Sequence, residues 1–197
     1  MGRPPEPGRK ARTLAAAAEY ALTHGLTGMS LRPLAQALGT STRMLLYDFG
    51  SKEKLVVAIL GEIRQREAEL LAAAIQDTAP TPSELLHGIW EWISAAEREP
   101  FLRLFFEVYI DAMTHPDAYA GQGRAMVTDW IDEFAAAFRN SASPTAGDSG
   151  RERASVIVAT VRGLLLDRLI TADIQRTDAA FEQFAALLAQ QENDREH

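Results

Sequence analysis

Cysteine is absent from the 197 residues. That excludes a disulfide framework, a thiolate metal site and a cysteine nucleophile, and it fits a reducing compartment. Long apolar runs are also missing. None approaches the ~18–20 residues that span a bilayer, so no membrane partner is expected. The opening Met1-Gly2-Arg3-Pro4-Pro5-Glu6-Pro7 lacks the apolar stretch of a secretory signal. Glu6 stands where a myristoylation signal wants Ser or Thr. The expected location is the cytoplasm. No segment keeps a period-two alternation between turn residues, so no strand is expected, and there is no internal repeat. What is plentiful is apolar and acidic. At 47% hydrophobic and 24% charged, the chain has the composition of a folded domain rather than a disordered one.

The net charge of −7 hides an asymmetry. Residues 1–54 carry eight basic and four acidic side chains, whereas the remainder carries twelve and twenty-three. A basic head on an acidic body points to a polyanion met only by the head.

Helix punctuation divides the chain. Pro and Gly crowd residues 1–9, which read as a flexible arm. An Ala-rich stretch from Lys10 to Thr23 predicts a first helix, which Gly25 stops. Ser30 is placed to cap a second helix over 31–38, Ser41 a third over 42–48, and Ser51 a long fourth to about Gln76. Helices are further predicted over 84–97 (capped by Ser83), 101–113 and 117–139. Two more follow, over 151–171 and from Asp178 to about Gln191. A Ser/Gly/Pro/Ala loop, Asn140–Gly150, precedes the last two, and the tail from Glu192 to His197 is expected to fray. The fold class is therefore all-α, about nine helices. Its parts are an N-terminal three-helix domain (10–50) and a C-terminal helical bundle (51–197) opened by a connecting helix (51–76).

The most informative stretch is Ser30-Leu-Arg-Pro-Leu-Ala-Gln-Ala-Leu-Gly-Thr-Ser-Thr-Arg-Met-Leu-Leu-Tyr-Asp-Phe49. Two short helices are joined by Gly39-Thr40-Ser41. Small Ala35 permits a close crossing, and Leu34, Leu38 and Leu45 are spaced to face inward. This is the spacing of a helix-turn-helix whose second helix enters the major groove, although structural helical hairpins share it.

The run Gly25-Leu-Thr-Gly-Met-Ser-Leu-Arg-Pro-Leu-Ala-Gln-Ala-Leu-Gly39, followed by Leu45-Leu-Tyr-Asp-Phe-Gly-Ser-Lys-Glu-Lys-Leu55, resembles the signature of the tetracycline-repressor family of transcriptional regulators. The likeness covers about residues 10–60. It implies a DNA-binding head, a fourth connecting helix, and a divergent helical domain for ligand binding and dimerisation. The family usually has Gly, Tyr and His where this chain has Arg43, Leu46 and Asp48.

On this reading double-stranded DNA is contacted by Arg32, Thr40, Ser41, Thr42, Arg43, Met44, Tyr47 and Lys52. Thr42, Arg43 and Met44 lie where base edges are read, and Arg43 is placed either to grip a guanine or to meet a phosphate or solvent. Tyr47 matches a family position whose phenol meets the backbone. Arg32, Lys52 and the basic Arg9, Lys10 and Arg12 are placed for phosphates. Asp48 would repel phosphates unless it faces inward or pairs with a basic neighbour.

One helix-turn-helix makes few contacts, so a homodimer on a palindromic operator is expected. Val156–Ile170 is apolar on more than one face, as a helix buried on two sides would be. The residues named for the dimer interface are Val161, Gly163, Leu164, Phe181, Phe184 and Leu188. Aromatic and Met side chains among the central helices match the composition of a small-molecule pocket as well as that of plain core. Trp90, Phe105, Tyr109, Met126 and Trp130 are the lining chosen. The effector itself is unknown. No cofactor or metal is called for. Repression relieved by the effector is the expected function.

Two rival readings exist. In one the chain is a helical ligand-binding or interaction module without DNA binding. In the other Asp129, Asp132 and Glu133, three and four apart on one helix, hold Mg²⁺ in a helical enzyme. No second acidic motif answers them, and His24, His87, His115 and His197 lack metal-ligand spacing.

Overall fold

The structure, a computed structural model, describes residues 8–26, 29–75, 81–119, 128–136 and 150–196. Among these, every regular element is helical: α1 (Arg9–His24), α2 (Leu31–Ala37), α3 (Thr42–Phe49), α4 (Lys52–Ile75), α5 (Pro82–Ser94) and α6 (Glu99–Thr114). A helical stretch over 128–136 (α7) is followed by α8 (Arg151–Thr171) and α9 (Ile174–Glu196). No helix among the described residues is long and apolar enough to cross a membrane.

The chain divides into two compact units, Met1–Leu70 with Pro100–Gly123, and Leu71–Glu99 with Arg124–His197. Within the first, α1 contributes Ala17, Ala18 and Ala21 and α4 contributes Leu55, Val56, Ile59 and Ile63 to the core. Phe101, Leu102, Leu104, Phe106 and Val108 of α6 are buried in the same unit. Burying each such side chain contributes about 1.5–3 kcal/mol. Glu19 of α1 is tied to α4 by Arg66, 2.5 Å away, which also holds Glu62 one turn back.

Several helix starts differ from those read in the sequence. Thr81, not Ser83, caps α5: its hydroxyl accepts from the Glu84 amide while the Glu84 carboxylate accepts from the Thr81 amide. These two bonds form a capping box, with Pro82 in the first turn. The bonds to Thr81 hold the Glu84 carboxyl below its ordinary pKa. Residue Ala95 is extended, so α5 ends at Ser94 and a 3₁₀ turn, Ala96–Arg98, leads into α6. The helix expected over 117–139 opens as a 3₁₀ turn, Pro116–Tyr119, and is helical again over 128–136, with residues 120–127 and 137–139 outside the described ones. Asn140–Asp148 and Ser149 of the expected loop also lie outside them.

Asp178 does not cap the last helix. Asp173 does, through its carboxylate to the Arg176 amide at 3.1 Å, and α9 begins at Ile174. The turn before it is pinned by Arg176, which reaches Asp167 at 2.7 and 2.9 Å and Asp173 at 3.1 Å. Asp178, one turn inside α9, instead accepts from the Trp90 indole at 3.0 Å and from Arg168 at 2.6 Å. Trp90 of α5 lies flat on Phe181 of α9, centroids 4.6 Å apart, so the second unit is locked by one aromatic stack and one shared carboxylate. The C-terminal tail, expected to fray, stays helical to Glu196.

Candidate nucleic-acid interface

The chain leaves α2 through a tight turn made of backbone. The Thr40 amide donates to the Ala35 carbonyl at 2.9 Å and the Gly39 amide to that of Gln36 at 3.2 Å. Gly39 sits at φ +64°, a left-handed conformation that an L side chain adopts only with strain. Extended Ser41 then starts α3, and its hydroxyl accepts from the Met44 amide at 3.2 Å. Leu34, Ala35, Leu45 and Phe49 are buried between the helices. Leu38 is half-buried.

With that face committed, α3 turns Arg43, Leu46 and Tyr47 outward. Tyr47 is 77% exposed and Leu46 41%. Arg32 and Ser41 are exposed as well, while Thr40, Thr42, Met44 and Lys52 are half-buried. The eight residues named for DNA therefore share the α2–α3 hairpin and the start of α4. Met44 offers less surface than Leu46, which the sequence reading passed over. The signal was the spacing of Leu46 from Arg43, three residues along the same helix face.

The departure at Asp48 resolves into packing. Its side chain is only 5% exposed and is paired to Arg9 of α1 at 2.6 Å. Lys10 lies over the Phe49 ring, 5.2 Å from its centroid. Two cations read as phosphate ligands thus fasten α1 to the end of α3. α1 starts at Arg9, inside the stretch read as a flexible arm, whose first seven residues lie outside those described.

A carboxylate braces the entry to the hairpin. Glu107 of α6 accepts a 2.9 Å hydrogen bond from the Leu26 amide. Gly25 makes room for it: a Cβ there would lie 2.8 Å from a Glu107 oxygen, and the residue stands at φ +76°. Glycine is needed at this point for both reasons.

The remaining assignments are met unevenly. Phe181 is fully buried and Val161 is 7% exposed, both packed within their own unit. They were read as interface because apolar helical spacing does not tell the two buried sides apart. Gly163 is exposed with nothing within 4 Å of a built Cβ, and Leu164, Phe184 and Leu188 are half-buried. Of the pocket residues, Phe105 and Tyr109 stack at 5.9 Å in the first unit. Trp90 and Trp130 belong to the second, where Trp130 meets Phe134 edge-on, and Met126 lies outside the described residues. Asp132 pairs with Arg151, and no group of three His, Asp or Glu able to hold a metal occurs among the described residues.

Comparison with known proteins agrees with this geometry. Residues 14–59 match the family described as bacterial regulatory proteins, tetR family. No curated protein sequence matches the chain. Among solved structures, a tetR-family regulator from Cytophaga hutchinsonii superposes with a TM-score of 0.76 at 18% identity, covering 92% of this chain and 93% of that one. A transcriptional regulator from Rhodococcus sp. Rha1 gives 0.73 at 19%, covering 92% and 96%. The multidrug binding protein EbrR, solved with proflavin, gives 0.66 at 24%, covering 91% and 99%. Over residues 14–59 the chain is thus similar to the tetR family, and its all-helical fold is the one seen in solved transcriptional regulators.

Proposed function

We propose that the protein is a repressor that binds a palindromic operator as a homodimer and lets go when a small molecule enters its C-terminal helices. The observation that carries this reading is the outward face of α3, where Arg43 and Tyr47 stand clear of a hairpin whose other face is buried. Arg43 reads a base edge, and Tyr47, Arg32 and Lys52 set register against phosphates.

Dimerisation is assigned to α8 and α9. One face of α8 is core, with Ala154, Ile157, Val158, Val161 and Leu165 buried. The opposite face presents Val156, Ala159, Gly163, Leu166 and Ile170 to solvent at three- and four-residue spacing. Such a stripe fits a second copy of the same helix. Gly163, Leu164, Phe184 and Leu188 stay in the proposed interface.

The effector must bind the released state more tightly than the DNA-bound one, since equal affinity shifts nothing. Its entry tilts α4, which moves the two α3 helices off a half-site spacing of about 34–36 Å or a multiple of it.

The test is selection of bound duplexes from a random pool, followed by gel shift of the selected sequence. Arg43→Ala and Tyr47→Ala should each weaken specific binding, by about a hundredfold or more for Arg43, since the dimer loses a bidentate base contact of about 1–3 kcal/mol in each half-site. Unchanged specific binding in both variants overturns the site, and a lone protomer at micromolar concentration in light scattering overturns the dimer.

A further inference from the structure

Leu46 is an apolar side chain on a surface otherwise suited to a polyanion, and the fold does not require it. The core of the hairpin is filled by Leu34, Leu45 and Phe49. Leu46 points away from them, on the face that carries Arg43 three residues earlier and Tyr47 next to it. The only carboxylate on α3, Asp48, is turned inward to Arg9 and withdrawn from that face. An acidic side chain in the major groove would accept from the cytosine amino group, so its withdrawal removes one type of readout. The outward side chains left on α3 are a guanidinium, a phenol and an isobutyl group.

The major groove offers these groups a limited set of partners. A guanidinium matches guanine O6 and N7, and the one apolar group on any base edge is the thymine C5-methyl. Residues three apart on a helix are separated by about 4.5 Å along its axis, against about 3.4 Å between successive base pairs. We propose that Leu46 packs on a thymine methyl one or two base pairs from the guanine gripped by Arg43, so that each operator half-site contains that guanine–thymine pair of features. The proposal rests on the reading of α3 as the DNA-reading helix and adds to it the base identities that this chain's own residues select. The positive balance of residues 1–54 supplies the affinity on which the methyl contact discriminates.

Replacing thymine by uracil removes the methyl and nothing else. In the selected operator, each thymine is replaced in turn by uracil, in both half-sites together, and affinity is measured for the wild type, Leu46→Ala, Leu46→Met and Arg43→Ala. One methyl is worth about fourfold in affinity per half-site. The wild-type dimer should thus lose about an order of magnitude at one thymine position and little at the others. Leu46→Ala should bind the thymine operator as weakly as the wild type binds the uracil operator, and should not distinguish the two. Leu46→Met should keep the distinction, and Arg43→Ala should keep it while tolerating substitution of the guanine. Specific binding with no uracil-sensitive thymine, or sensitivity unchanged in Leu46→Ala, overturns this proposal and leaves the repressor reading standing. Failure to select any sequence overturns both. Leu46 is exposed, so an unchanged helical circular-dichroism spectrum separates loss of contact from loss of fold.

Discussion

Single residues decide how the reading head is held together. Asp48 is a buried acid on the helix proposed to read DNA, and it is paired to Arg9. Arg9→Ala leaves that carboxylate without its cation and should lower stability by about 1–3 kcal/mol, Arg9 itself being partly exposed. Arg9→Ala with Asp48→Ala should recover part of the loss, so a double-mutant cycle by denaturant unfolding gives a coupling of 1 kcal/mol or more; additive effects would show that the pair does not act as a unit. The inward turn of Asp48 was one of two outcomes open in the sequence. What the sequence hid was the partner, because Arg9 read as part of a flexible arm. His87 makes a second residue-scale prediction. Hydrogen bonding to the Ser83 carbonyl, and then to Glu182 at 3.2 Å, raises its pKa above the ordinary 6.5. The folded state therefore holds this proton more tightly than the unfolded chain. Its contribution is complete below about pH 6.5 and fades as pH rises through the raised value. The melting temperature should fall from pH 6 to pH 8 by more in the wild type than in His87→Gln, in matched buffers.

At the scale of elements, the ends and faces of helices were unequally legible. The α2–α3 turn could be read because Gly39 and Ser41 each answer a local backbone need. Helix α9 was begun too late because Asp173 and Asp178 are equally good caps on paper, and only the tertiary bond from Asp178 to Trp90 and Arg168 assigns their roles. The faces of α8 were harder still. Apolar spacing gave two buried sides without saying which was the protomer's own, and Val161 lies on the side packed within its own unit. Gly163 now provides a test whose sign matters. In a lone chain it has open space around it, and Gly163→Ala should stabilise α8 by about 1 kcal/mol. If a second α8 crosses closely there, the same substitution should instead shift the dimer toward monomer in dilution experiments by analytical ultracentrifugation. An unchanged dimer with a raised melting temperature would move the interface away from Gly163.

Over the whole molecule, the reading head reaches beyond its first three helices. Core residues of α4 and α6 belong to the same compact unit, and Glu107 braces the Leu26 amide from 81 residues away. No local pattern could reveal that contact, since Glu107 on its own reads as a solvated acid. Glu107→Ala should lower stability by about 1–3 kcal/mol, the usual effect of orphaning an amide donor. Gly25→Ala should do at least as much, because it meets both the carboxylate and an unfavourable φ. Hydrogen exchange at the Leu26 amide should quicken in Glu107→Ala, and an unchanged rate would mean the bond is not kept in solution.

The brace also bears on recombination. A hybrid regulator made by joining one head to another's effector-binding helices within α4 parts Gly25 from the acid that fills its missing side chain. Grafts that carry α6 along with the head, or that place a carboxylate at the position of residue 107, should fold and hold DNA where a simple splice does not.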